Sequence, residues 1–137
     1  MAGELILVVE DNEKNLKLVR DLLQFNGFLT LEASTARRGL ELAVEHGPHL
    51  ILMDIQLPDM DGVAALGQLR ADPLTAAIPV VALTAFAMKE DRERFLGAGF
   101  DGYLAKPIDV RAFPKQIRTF VVATAKTTAE RITGEAL

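Results

Sequence analysis

Leu50-Ile51-Leu52-Met53 is an apolar run with no polar break, and it stops abruptly at Asp54 ahead of a turn-rich segment ending in Pro58-Asp59-Met60-Asp61-Gly62. A run this short, bounded by turn residues, reads as a strand buried on both faces. Nothing else in the chain restricts the fold so strongly. A strand with no solvated face needs a covering layer on each side, and a parallel sheet flanked by helices supplies both. In such sheets ligands bind just beyond the carboxyl ends of the strands. Asp54 therefore stands where this class of fold does its chemistry. Taken singly, an Asp at that position is more often a plain turn former.

The same punctuation recurs along the chain. Leu5-Ile6-Leu7-Val8-Val9 runs into Glu10-Asp11-Asn12, Pro79-Val80-Val81-Ala82-Leu83 ends in Thr84, and Gly102-Tyr103-Leu104-Ala105 leads to Lys106 before Pro107. The stretch Phe28 to Ala33 is more polar and is expected at an edge. Between these runs the apolar spacing turns helical. Leu16, Val19, Leu22, Leu23 and Phe25 are predicted to share one broad face, closed by Gly27. Ser34 is the expected N-cap of a helix carrying Ala36, Leu40, Ala43 and Val44 and closed by Gly47-Pro48. A third helix is expected from about Val63, with Leu66 and Leu69 inward, ending at Asp72-Pro73. Met88 to Leu96 is short and heavily charged, which predicts a helix with few apolar anchors. Asp109 is expected to cap a last helix with Val110, Phe113, Ile117 and Phe120 or Val121 facing in. Pro114 falls inside that pattern and lacks a backbone donor, so the helix should start late or bend there.

Five strand–helix units imply an α/β fold: a doubly wound, five-stranded parallel sheet with helices on both faces. Its 137 residues suit one domain, expected over residues 1–122, with 123–137 as a helical continuation or an appendage. In that fold the strand ends converge on one rim. Glu10 and Asp11 arrive from the first strand, Asp54 from the third, Thr84 from the fourth and Lys106 from the fifth. Three carboxylates cannot share a rim unaided, since each like-charge pair at roughly 4 Å costs about 4 kcal/mol at an effective dielectric near 20. Lys106 offers one positive charge. The chain has no Cys, which excludes thiolate metal sites, and an all-oxygen donor set suits Mg²⁺. Carboxylate, Mg²⁺, ammonium and hydroxyl together are the parts of a phosphoryl-transfer site, with Asp54 as nucleophile.

At these residues the chain resembles the receiver domains of two-component response regulators, from about Glu4 to Val122. The motifs that carry the resemblance are Val9-Glu10-Asp11-Asn12, Met53-Asp54-Ile55-Gln56-Leu57-Pro58 with Asp61-Gly62, Leu83-Thr84-Ala85, and Tyr103-Leu104-Ala105-Lys106-Pro107. The run from Pro79 to Lys89 is similar to that of stand-alone cell-cycle receivers. The resemblance implies the flavodoxin-like strand order 2-1-3-4-5. It implies that Asp54 accepts a phosphoryl group from a phosphohistidine on a sensor histidine kinase or histidine phosphotransfer protein, a signalling role rather than that of an enzyme. It implies Mg²⁺ held by Asp11, Asp54 and the backbone carbonyl of Gln56, with Glu10, standing where many receivers have Asp, reaching it through a water. It further implies a cis Lys106-Pro107 bond and a switch in which Thr84 moves toward the phosphoryl group and Tyr103 turns inward. The Met88–Leu96 helix, the fifth strand and the last helix would then present a changed face to a downstream protein target.

Alone, each of these residues has a plainer reading: a solvated helix start for Glu10-Asp11, a strand-end hydroxyl for Thr84, a surface charge for Lys106, core filler for Tyr103. Their joint placement on successive strand ends overturns those readings. A flavin carrier on the same fold would need a Ser/Thr/Gly loop after the first strand, where Glu10-Asp11 would repel a phosphate. A receiver scaffold without phosphorylation would not need Asp54, Thr84 and Lys106 together. Gly97-Ala98-Gly99-Phe100-Asp101-Gly102 fits a dinucleotide fingerprint but lies between a helix and a strand in the wrong order. Asp59 and Asp61-Gly62 hint at a calcium loop, yet Leu57 and Gln68 occupy two ligand positions. His46 and His49 are expected far from the acidic rim. Fifteen Lys and Arg against nineteen Asp and Glu give a net charge of −4, which argues against nucleic-acid binding or a polybasic membrane surface. No apolar run is long enough to insert in a membrane, and no signal-like start is read, so the expected location is cytoplasmic. No DNA-binding or cyclase segment is read after Val122, so the expected output is a protein partner, a relay or a further domain. Gln56 and Phe86 flank the site without offering a base for water, which predicts slow self-dephosphorylation.

Overall fold

The computed structural model describes residues 3–85 and 88–121 of the chain. Phe86 and the segment 123–137 lie outside the described residues. The strands are β1 (Leu5–Val9), β2 (Leu29–Ala33), β3 (Leu50–Asp54), β4 (Val80–Thr84) and β5 (Gly102–Ala105). They form one parallel sheet in the order β2-β1-β3-β4-β5. Between them run α1 (Glu13–Phe25), α2 (Ala36–His46), α3 (Gly62–Ala71) and α4 (Lys89–Ala98). A fifth helix, α5, covers 113–121 of the described residues. No helix among the described residues is long and apolar enough to cross a membrane.

The unbroken apolar runs become β1, β3 and β4, and their alternate residues feed two cores. Leu7, Val9, Ile51, Met53, Val80 and Ala82 pack under α2, α3 and α4, against Ala36, Leu42, Leu66, Leu69 and Phe95. Ile6, Val8, Leu50, Leu52, Val81 and Leu83 face the other way, against Val19 and Leu23 of α1 and Phe113 and Ile117 of α5. The period of two thus divides each run between two helical layers. The more polar β2 lies at an edge, where one flank pairs with no strand among the described residues.

Several local expectations are corrected. Phe25 is 89% exposed. It lies two residues past buried Leu23, about 200° round the helix, and so leaves the face that Val19 and Leu23 share. In α2 the buried face runs through Ala36, Gly39, Leu42 and Ala43 rather than through Val44, which is exposed. Gly39 sets that rotation, because a Cβ there would stand 2.6 Å from Val9 Cγ2. The N-cap of α2 is Thr35, not Ser34, with its hydroxyl accepting from the Arg38 amide at 3.2 Å. Asp109 caps a turn, accepting from the amides of Arg111 and Ala112. The helix itself begins only at 113, so Val110 stays exposed and Pro114 falls in the first turn, where no backbone donor is needed.

α4 is held as its composition suggests. Its buried side chain is Phe95, fully enclosed and set edge-on to Phe100 with ring centroids 6.2 Å apart. Met88 provides no side-chain cap at its start. Phe95→Ala should therefore cost about 3–5 kcal/mol in urea unfolding, while Leu96→Ala, at a half-exposed neighbour, should cost far less.

Candidate functional site

Because every strand is parallel, β1, β3, β4 and β5 end at one edge of the sheet. Strand order reverses between β1 and β3: β2 lies on one side of β1 and all later strands on the other. This is the switch point at which such sheets open a crevice. Glu10 follows β1, and its amide donates to the Ala33 carbonyl at 2.9 Å. Asp11 comes next and is exposed. Asn12 then caps α1 through the Asn15 amide at 3.0 Å, so the helix starts directly behind the acidic pair. Asp54 is the last residue of β3, and Thr84, buried, is the last of β4. Lys106 follows β5, its amide donating to the Thr84 carbonyl at 2.8 Å. The Lys106–Pro107 bond is cis.

The structure brings these residues together. Lys106 Nζ lies 2.6 Å from Glu10 Oε1 and 2.7 Å from Asp54 Oδ2. Asp54 Oδ1 accepts from the Gln56 amide at 2.9 Å. A cleft of about 350 Å³ opens over them, bordered by Asp11, Asn15, Asp54, Gln56, Thr84 and Lys106. One carboxylate oxygen from each of Glu10, Asp11 and Asp54 lies within 4.8 Å of the others.

Burial decides the electrostatics. Glu10 is completely enclosed, and its Oε2 has no hydrogen-bond partner among the described residues. Desolvation first, and the Asp54 carboxylate second, raise the Glu10 carboxyl from 4.5 to about 7, with Lys106 opposing. Burial also works to raise Asp54. The Glu10 carboxyl, the Lys106 ammonium and the Gln56 amide outweigh it and hold Asp54 below the ordinary carboxylate value. For Lys106, burial disfavours the charge, but the two carboxylates more than compensate and raise its pKa. A buried carboxylate oxygen without a partner, inside a set of hard oxygen donors, fits a small divalent cation with a water-rich shell. Cys is absent from the chain, and neither His belongs to this acidic cluster.

Tyr103, on β5, is half-buried against the core under α2, α3 and α4. Its hydroxyl accepts from Arg92 Nη1 at 2.7 Å, and the guanidinium carbon lies 5.5 Å from the ring centroid. Arg92 went unnoticed in the sequence because a charged residue on a charged helix carries no signal of a specific partner. The apparent calcium loop has other uses. Asp61 caps α3, accepting from the Val63 amide at 2.6 Å, and Asp59 accepts from the amides of Ala36 and Arg37. His49 Nδ1 accepts from the Leu5 amide at 3.0 Å, at the opposite edge of the sheet. Gly99 closes α4 at a φ of +113°, a helix stop rather than a phosphate loop.

Comparison with known proteins matches residues 6–118 to the family described as the response regulator receiver domain. The polar-differentiation response regulator DivK of Brucella ovis is 45% identical over 116 residues, which are 85% of this chain and 94% of that protein. DivK of Brucella anthropi is equally similar, with 45% identity over 116 residues. Among solved structures, the receiver domain of a sensor histidine kinase from Pseudomonas aeruginosa, described with a magnesium ion coordinated in its active-site cleft, is 33% identical. It aligns over 88% of this chain and 98% of that one with a TM-score of 0.79. A CheY-like receiver domain protein from Methanospirillum hungatei is 29% identical, with a TM-score of 0.82 over 92% of this chain and 99% of that one.

Proposed function

The chain belongs to the response regulator receiver domain family of two-component signalling, and from that premise we propose that it takes a phosphoryl group onto Asp54, in a Mg²⁺-dependent reaction, from a phosphohistidine of a sensor kinase or histidine phosphotransfer protein. The observation that carries this reading is the Asp54 carboxylate itself. It is buried, bracketed by Lys106 Nζ at 2.7 Å and the Gln56 amide at 2.9 Å, and held ionised beside two further acids.

Asp11, Asp54 and the Gln56 carbonyl would hold Mg²⁺, with Glu10 acting through a water. When bound, the ion supplies positive charge at the phosphoryl oxygens. Asp54 attacks phosphorus, a P–O bond forms as the P–N bond to the donor imidazole breaks, and the product is an acyl phosphate. Lys106, already beside Asp54, is placed to neutralise one phosphoryl oxygen, and the Thr84 hydroxyl to donate to another. The new charge at this rim draws Thr84 inward, and Tyr103 follows. Readout then falls to α4, β5 and α5, which a downstream protein would read. On this account the chain is a signalling domain that assists its own phosphorylation, rather than an enzyme acting on other substrates.

Incubation with acetyl phosphate and Mg²⁺ should give one phosphoryl adduct in the intact mass. Removing divalent ions with EDTA before the donor is added should abolish it. An adduct that forms equally well in EDTA overturns the cation's part in this reading.

A further inference from the structure

Asp59 stands at the tip of the turn between β3 and α3, outside the cleft and exposed to solvent. It nonetheless makes long-range side-chain hydrogen bonds. Its Oδ1 accepts from the Ala36 amide at 2.8 Å and its Oδ2 from the Arg37 amide at 3.0 Å, so both oxygens are spent on the first turn of α2. The Thr35 hydroxyl takes the Arg38 amide at the same helix end, so the two amides that Asp59 holds are further donors of that first turn with no acceptor inside the helix. Because their acceptor comes from another segment, satisfying them also fastens the β3–α3 turn to α2.

That turn leads back to the site. Its base is closed where the Gly62 amide donates to the Ile55 carbonyl at 2.9 Å and Gln56 bridges to Asp61. Gln56 in turn donates to Asp54 Oδ1. The turn has little freedom at its base, since a Cβ on Gly62 would stand 2.8 Å from Ile55 Cα and 2.9 Å from the Asp54 carbonyl oxygen. Its tip is fixed by Asp59 and by Leu57 and Met60, partly buried side chains packed against the core.

We propose that Asp59 is a positioning residue for the cation pocket: its bidentate clamp on α2 holds the β3–α3 turn, and with it the Gln56 main chain, in place beside Asp54. The inference rests on the reading that Asp54 and the Gln56 carbonyl share a divalent cation. Groups that orient metal ligands from outside the coordination shell are commonly worth about tenfold or more in affinity.

The test is a Mg²⁺ titration of the unphosphorylated full chain, followed by amide chemical shifts, for wild type, Asp59→Ala, Asp59→Asn and Thr35→Ala. Asp59→Ala should weaken Mg²⁺ binding about tenfold. Asp59→Asn keeps one of the two acceptor oxygens and should recover part of the loss. Thr35→Ala removes the helix's own cap without touching the turn, so it should lower stability and leave Mg²⁺ affinity unchanged. Equal affinities for wild type and Asp59→Ala, or equal losses in Asp59→Ala and Thr35→Ala, overturn the positioning role. A wild type that takes up no Mg²⁺ overturns the cation reading itself, a distinct result from a failure of Asp59 alone.

Discussion

Asp54→Asn should yield no phosphoryl adduct under conditions that fully modify the wild type. The substitution is nearly isosteric and keeps an acceptor for the Gln56 amide, which lies 2.9 Å from Oδ1. It removes the negative charge, and with it the proposed nucleophile. An amide oxygen does not form a stable bond to phosphorus here, so the loss is complete rather than graded. The fold should survive. Lys106 keeps Glu10 as a partner at 2.6 Å, so Asp54→Asn in EDTA should retain the far-UV circular dichroism of the wild type. A variant that keeps an adduct of the same size and yield would place the acceptor elsewhere, and the acidic cluster would then be an ordinary structural feature.

Lys106→Met should produce the second large effect, and its pH dependence follows from the neighbours. Nζ lies within 2.7 Å of both buried carboxylates, with the Lys106 side chain 17% exposed. Deleting one partner of a buried pair costs about 3–5 kcal/mol when the remaining charges stay ionised. Glu10 has an escape, because its pKa is already raised to about 7 by burial and by Asp54. A carboxyl whose folded value lies above its unfolded one contributes fully below the unfolded value, and that contribution is lost as pH rises through the folded value. Without Lys106 the Glu10 value rises further and its loss at alkaline pH deepens. Asp54 is shifted the other way, so it contributes above its unfolded value and ceases to as pH falls through the folded one. Removing Lys106 withdraws part of that support, again at high pH. Both groups make the deficit larger in alkali. Urea unfolding in EDTA should therefore show Lys106→Met weaker than wild type by about 3 kcal/mol at pH 8, with the gap narrowing toward pH 5. Its phosphorylation by acetyl phosphate should slow about a hundredfold or more, the usual effect of losing one charged donor to a developing oxyanion. A pH-independent deficit would show that Lys106 acts by packing its stem rather than by its charge.

Much of this site was legible in the sequence because of how strands end. Leu5–Val9, Leu50–Met53 and Val80–Leu83 are apolar, short and bounded by turn or polar residues, which marks doubly covered strands, and parallel direction then brings Glu10, Asp54, Thr84 and Lys106 to one rim. Helix faces were harder to read. Phe25 and Val110 are large and apolar, but each lies where the helix has turned away from the sheet or has not yet begun. Val44 lost its expected place to Gly39, whose lack of a side chain lets α2 approach Val9. Close approach by a glycine carries no hydrophobic signal. Contacts around the site were less visible still. Full burial of Glu10 runs against the habit of its residue type. The links from Asp59 to α2 and from Arg92 to Tyr103 join residues that the fold alone brings together. An Asp in a turn and an Arg on a charged helix both have local explanations, and local explanations hide distant partners.

The central claim is that the carboxylate at the end of β3 accepts the phosphoryl group. The most direct measurement is borohydride reduction of the phosphorylated chain followed by peptide mapping, because an aspartyl phosphate is reduced to homoserine where an unmodified Asp is not. The account predicts homoserine in place of Asp54 and unchanged Asp at position 11. Homoserine at position 11, or a phosphoryl group that resists borohydride and maps to a Ser, Thr or His, would contradict it.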